Sequence, residues 1–205
     1  MKTEIRKFIG SVKFEKRSEG EDEVMPVRFG GEAAVTGVRT NMYYYDEEIA
    51  PGAFDNVINR SDLDVRVLFN HEECEILGRT TAGTARVWVN ERGNLEYEWT
   101  PDYENPLHKQ VARSIMRGDI TQSSFQFTIK SEEWISGEEY TGGYLMRITE
   151  IGNLYDVAPV TFPAYEEATA EARSSAKSKV ETLQHAKNTN DLDLLTIVKV
   201  KHQVK

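Results

Sequence analysis

A chain of 205 residues with 39% hydrophobic and 10% aromatic side chains can bury a core of ordinary size as one domain, which argues against wholesale disorder. Asp and Glu total 34 against 25 Lys and Arg, a net charge of −9 that disfavours a broad nucleic-acid surface, because phosphate binding needs a basic face. One cysteine, Cys74, excludes an internal disulfide and suits a reducing cytoplasm; no apolar run has the length of a secretory core or a membrane span, so no membrane is expected as a partner.

Taken in chain order, Ile5 to Phe14 mixes apolar and charged residues at short period and predicts strand, and the charged stretch Lys16 to Glu23 predicts a solvated loop. Strand resumes at Glu32 to Val38. Pro51-Gly52 marks a turn after Tyr43 to Ile49, and Asp55 to Asn59 suits a short helix. Val65 to Phe69 is a compact strand that runs into Asn70-His71-Glu72. Arg86 to Asn90 and Leu95 to Trp99 alternate around Glu91 to Asn94 as a hairpin does. Asn105-Pro106 reads as an N-cap with proline at the first helical position, and Leu107, Val111, Ile115 and Met116 recur at helical spacing up to Gly118. From Ser124 to Lys130 the alternation is clean: Phe125, Phe127 and Ile129 face one way, Ser124, Gln126 and Thr128 the other. Two further strands are expected at Tyr144 to Thr149 and Asn153 to Phe162. After Pro163 an Ala-, Glu- and Lys-rich stretch to Lys187 reads as exposed helix or linker, followed by the apolar patch Leu192 to Val200. The whole predicts a mostly β (α+β) domain with one or two helices and a tail.

Few residues offer chemistry. Of the four histidines, His185 and His202 lie in the tail, leaving His71, just past a strand, and His108, within the amphipathic helix, as candidate bases. A serine hydroxyl such as that of Ser124 becomes nucleophilic only beside a group that takes its proton. Asp156 stands in an otherwise apolar stretch, where a carboxylate must find donors, an imidazole N–H being one. Each also has a plainer explanation: a hydrogen-bonded surface histidine, a polar strand serine, a structural hydrogen bond. His71 and Cys74 have the spacing of two zinc ligands, but no second cluster completes a tetrahedral set, and no phosphate-cradling loop occurs, so neither metal nor cofactor is expected. Tyr43-Tyr44-Tyr45 suits packing.

Four stretches together resemble the prohead protease family of tailed bacteriophages and prophages. They are Ile49-Ala50-Pro51-Gly52-Ala53-Phe54-Asp55; Val67-Leu68-Phe69-Asn70-His71-Glu72 with Leu77-Gly78-Arg79-Thr80; Arg117-Gly118-Asp119-Ile120 leading to Ser124-Phe125-Gln126-Phe127; and Leu154 to Ala164. They occur in the family's order over roughly residues 30 to 165. The resemblance implies a serine endopeptidase with Ser124 as nucleophile, His71 as base and Asp156 as third member, at a position where many members have glutamate. Members often have glycine or methionine just before the serine and glycine two residues after it, where this chain has Ser123 and Gln126, so two adjacent serines compete for the role. Kinship with herpesvirus assembly proteases, whose third member is a second histidine, makes His108 a rival to Asp156. It also implies a compact β-barrel with flanking helices.

The substrates implied are scaffold protein, the scaffold-like N-terminal region of the major capsid protein and the chain itself, inside the immature prohead in the host cytoplasm. Portal and further copies of the chain are additional partners under this resemblance. Residues 1–168 would form the protease domain, and 169–205 a helical or flexible tail that serves packaging or is removed by self-cleavage. Oxyanion donors would be backbone N–H groups near Arg79 or an arginine such as Arg147. A degenerate, non-catalytic assembly module is the alternative reading.

Overall fold

The computed structural model describes residues 3–15, 25–162 and 177–185. Among the described residues, ten strands and two helices precede a further helical stretch at 177–185: β1 (Thr3–Glu15), β2 (Arg28–Ala34), β3 (Thr40–Asn41), β4 (Asp46–Ile49), α1 (Asp55–Ile58), β5 (Arg66–Leu68), β6 (Ile76–Arg79), β7 (Ala85–Val89), β8 (Leu95–Trp99), α2 (Pro106–Arg117), β9 (Gln122–Ser136) and β10 (Tyr144–Val160). They pair in the order β3-β4-β10-β9-β1-β2-β8-β7, with β5 on β10 and β6 on β5, and the sheet curls into a half-barrel. The mostly β expectation holds. The loop Lys16 to Glu23, the patch Leu192 to Val200, His202 and most of the tail lie outside the described residues.

The outer edge of β10 is shared by two parallel neighbours. β4 takes Leu145 to Ile148 and β5 takes Asp156 and Val157. The Pro51–Phe54 turn fills the interval: Ala50 N–H donates to Ile148 O at 2.9 Å, and Ile151 N–H donates to Ala53 O at 2.9 Å. This turn seats Phe54 against Phe125, ring centroids 5.7 Å apart, and Phe125 stacks on Phe127. Phe54, Phe125, Phe127, Val67 and Val157 are all buried. Full burial of side chains of this size contributes about 1.5–3 kcal/mol each, so this patch fixes β5, β9 and β10 to one another.

Tertiary context makes β6. Its residues Ile76-Leu77-Gly78-Arg79 carry no alternation signal, and strand was not expected there. β6 pairs with β5 on one side and turns its other edge to β7 and β8, where Arg79 N–H donates to Thr84 Oγ1 at 3.0 Å. A Cβ on Gly78 would stand 3.1 Å from Ala85 Cβ, Thr84 O and Trp99 Cβ. Glycine thus lets this edge lie flush against the far end of the sheet. β10 corrects the expectation of two separate strands. Gly152-Asn153 does not end it, because bulges absorb the extra residues and the ladder with β9 continues.

α2 follows its predicted signals. Asn105 Oδ1 accepts from Leu107 N–H at 3.0 Å, Pro106 opens the helix, and Gly118 closes it at φ 84°. The helical stretch 177–185 is not simply exposed: it buries Val180 and Leu183 in the core, while Lys179 Nζ donates to Glu132 Oε1 at 2.6 Å. Tyr45 is buried edge-on to Trp134, and Tyr43 is exposed.

Candidate active site

β9 and β10 are both buried on two faces near their paired ends, which is why the polar residues there require partners. Ser123 pairs with Pro159, Ser124 with Ala158, and Gln126 with Asp156. Residues in register share a face. Ser124, Gln126, Asp156 and Ala158 therefore lie on one side, and Ser123, Phe125 and Val157 on the core side.

Asp156 reaches that side only because the strand is irregular. Leu154 pairs with Phe127 and Asp156 with Gln126, so Tyr155 is an extra residue in β10 and is 40% exposed. A regular strand would put Asp156 on the face of Leu154, in the core. The bulge re-aims it.

His71 comes from the other neighbour of β10. β5 runs parallel to β10, and beyond its end Asn70 N–H donates to Pro159 O at 3.2 Å. The Asn70 side chain clamps the same segment: its Oδ1 accepts from Thr161 N–H at 2.8 Å, and its Nδ2 donates to Thr161 Oγ1 at 3.2 Å. The chain then turns through two left-handed residues, Asn70 at φ 55° and His71 at φ 64°, inside a turn closed by Glu72 N–H to Phe69 O at 3.0 Å. Asn and His are the non-glycine types most tolerant of this region, yet each carries a cost. The result returns the imidazole over the Ser124–Asp156 face.

There the three side chains meet. His71 Nε2 lies 2.7 Å from Ser124 Oγ, and His71 Nδ1 lies 2.5 Å from Asp156 Oδ1. The carboxylate can only accept, so Nδ1 carries the proton and Nε2 is left to accept from the serine hydroxyl. The imidazole is 7% and the Asp156 carboxylate 3% exposed. Ser124 has no exposed surface. Low accessibility strengthens both hydrogen bonds and excludes competing water.

The structure separates the adjacent serines and the two histidines. Ser123 Oγ turns the other way and shares a hydrogen bond with Tyr97 Oη at 2.8 Å; burial pushes that phenol far above its usual range. His108 is engaged elsewhere. Its Nδ1 accepts from Asp102 N–H at 2.8 Å and its Nε2 donates to Ile76 O at 2.9 Å, tying α2 to β6. Arg147 is bonded to Glu48 and pairs with Glu133, about 30 Å along β9 from Ser124, which removes it as an oxyanion donor. The Arg79 guanidinium is held by Asp64. Cys74 is exposed, and among the described residues no three or more His, Cys, Asp or Glu side chains group as a metal site. No helix among them is long and apolar enough to cross a membrane.

Asn70 and Arg79 stood within the motifs of the sequence reading, but Asn70 was given no role there, and neither the Tyr97–Ser123 bond nor the Asp64–Arg79 pair had a part in it. Asparagine ahead of the histidine at a strand end was a usable signal for a left-handed turn. The partners of Tyr97 and Asp64 depend on long-range packing that no local pattern reveals.

Neither a curated protein nor a solved structure matches the chain significantly. The sequence profile describing caudovirus prohead serine proteases, by contrast, matches residues 12–185, which takes in β2 through β10 and the helical stretch that follows. Covering most of the chain, that match makes this protein a member of the caudovirus prohead serine protease family.

Proposed function

We propose that Ser124, His71 and Asp156 are the catalytic residues of a serine endopeptidase that acts in prohead maturation. The observation that carries this reading is the unbroken pair of hydrogen bonds from Ser124 Oγ through the imidazole to the Asp156 carboxylate. Ser124 Oγ attacks the scissile carbonyl carbon as its proton passes to His71 Nε2. Asp156 keeps the Nδ1–H tautomer in place and stabilises the imidazolium that forms. Nε2–H then protonates the departing amine, leaving an acyl-enzyme on Ser124. A water that gives its proton to the same nitrogen hydrolyses this ester and restores the serine. Because Ser124 has no exposed surface, a substrate carbonyl reaches it only after the groups above it move.

In this reading the substrates are scaffold protein, the N-terminal region of the major capsid protein and the chain itself, cleaved inside the prohead. The domain of residues 1–168 does the chemistry, and the segment beyond it serves packaging or self-removal.

Labelling by a fluorescent fluorophosphonate, alongside intact-mass analysis of chain co-produced with capsid protein, tests the assignment. Ser124→Ala and His71→Ala are expected to abolish labelling and to lower cleavage by at least about three orders of magnitude, and Ser124→Ala to retain its melting behaviour. Capsid processing by Ser124→Ala at the wild-type rate would refute the assignment. Intact masses for wild type and Ser124→Ala that differ only by the one oxygen atom of the substitution would refute self-removal.

A further inference from the structure

Asp156 has an in-register neighbour on each side of the sheet: Gln126 on β9 and Arg66 on β5. Such neighbours share a face with backbones about 5 Å apart, so the Arg66 side chain starts beside the carboxylate that holds His71. One strand further out, Arg79 pairs with Arg66. Across this face the row reads Gln126, Asp156, Arg66, Arg79. A guanidinium seeks a carboxylate in a forked, two-bond geometry, and here one starts beside the carboxylate that His71 needs and a second stands one strand beyond.

Both are captured by a different acid. Arg79 donates through Nε to Asp64 Oδ1 at 2.9 Å and through Nη2 to Asp64 Oδ2 at 2.6 Å. Arg66 Nη2 lies 3.2 Å from Asp64 Oδ2, and its Nη1 donates to the Asp64 carbonyl at 3.1 Å. Thr81 Oγ1 adds a hydrogen bond to Oδ1 at 2.9 Å. The hydrogen bond from Arg79, with help from Thr81 and the Arg66 charge, holds the Asp64 carboxyl far below the usual carboxylate range.

We propose that Asp64 is a positioning residue: by binding Arg66 and Arg79 it keeps their guanidinium groups off Asp156 and leaves that carboxylate to His71. The inference rests on the reading of Asp156 as the histidine's partner. Without Asp64, two uncompensated positive charges stand on this face, and the nearer one competes for the same oxygens.

The test uses the full chain and two readouts: the second-order rate of labelling by a fluorescent fluorophosphonate, and the low-field proton resonance of His71 Nδ1–H. Asp64→Ala is expected to slow labelling at least about ten-fold and to shift or broaden that resonance. Adding Arg66→Ala should restore most of both, and Asp64→Glu should behave as wild type. A structural contribution of Asp64 would give a loss that a second substitution deepens. Should Asp64→Ala not fold, Asp64→Asn must give the same ordering. Wild-type labelling and an unmoved resonance in Asp64→Ala, or a loss that Arg66→Ala fails to relieve, would overturn the proposal. Asp156→Ala labelled at the wild-type rate would instead overturn the reading beneath it.

Discussion

The loop that carries His71 depends on Asn70 in two separable ways, and paired substitutions measure each. Asn70→Gly removes the clamp on Thr161 but keeps a residue suited to φ 55°. A net hydrogen bond contributes about 0.5–1.5 kcal/mol, and the longer, exposed one belongs at the low end, so the clamp amounts to about 1–2 kcal/mol. Asn70→Ala loses the clamp and, unlike Asn70→Gly, keeps a Cβ-bearing residue in the left-handed region, at about 1–2 kcal/mol relative to glycine. About 0.4–1 kcal/mol of that is recovered relative to glycine, because alanine has less freedom to lose on folding. Asn70→Ala should therefore be about 1 kcal/mol worse than Asn70→Gly, and about 1–3 kcal/mol worse than wild type, whose asparagine already bears part of the left-handed cost. Thermal melting should register about 2–4 °C for each kcal/mol in a chain of this size. If the loss is spent on unseating the loop, the fraction with His71 over Ser124 falls by up to about two orders of magnitude, and fluorophosphonate labelling slows in proportion. Equal melting temperatures and equal labelling rates for the alanine and glycine variants would refute the argument, because the left-handed turn would then not be what holds the imidazole in place.

Three other outcomes follow from single contacts. Ser123→Ala should leave labelling per folded molecule unchanged while the orphaned, buried Tyr97 hydroxyl costs about 1–3 kcal/mol in denaturant unfolding, a loss that Tyr97→Phe in the same background relieves; abolished labelling would return Ser123 as nucleophile. His108→Ala should destabilise the fold by about 2–4 kcal/mol, because Asp102 N–H and Ile76 O both lose their partner, yet a folded sample should label normally. A folded but unlabelled His108→Ala would revive the histidine as third member. Glu150 is bonded by Lys130, chiefly, and by Asn56, which hold its carboxyl below its ordinary 4.5. A depressed carboxylate stabilises above its unfolded value and loses that contribution as pH falls through the folded one. The melting difference between wild type and Glu150→Gln should be full near neutrality, under about 1 kcal/mol after solvent screening, and should close below about pH 4.5; a difference that widens in acid would contradict the pairing.

How much of this was legible from sequence divides along physical lines. Elements whose instructions are local were readable. α2 has its cap residue, its proline and its terminal glycine in place, and the hairpin of β7 and β8 turns where Glu91 to Asn94 said it would, with Gly93 at φ 85°. β6 was not readable, since four residues containing a glycine become a strand only through β5 on one side and Thr84, Ala85 and Trp99 on the other. β10 looked like two strands because Gly152-Asn153 is ordinary loop punctuation. Only the long partner β9 shows that the chain passes through.

The candidate site divides the same way. Alternation in β9 put Ser124 opposite to Phe125, and that face is where His71 stands. Alternation would have failed for Asp156: Leu154 and Val157 are both buried in the core three residues apart, and the bulge at Tyr155 is what turns the carboxylate away from them. It would have failed for His71 as well, because two consecutive left-handed residues reverse the direction in which β5 was heading. Each departure from regular strand geometry costs free energy, and each occurs where a side chain must leave the pattern to meet Ser124. The meeting itself follows from strand order. β10 lies between β9 and β5, so a serine on one neighbour and a histidine just beyond the other are brought to the same carboxylate, although 53 residues separate His71 from Ser124 and 85 separate it from Asp156. A regular ladder in that sheet order would bring the backbones together and leave the functional groups on different faces; the bulge and the turn are what convert adjacency of strands into contact of side chains.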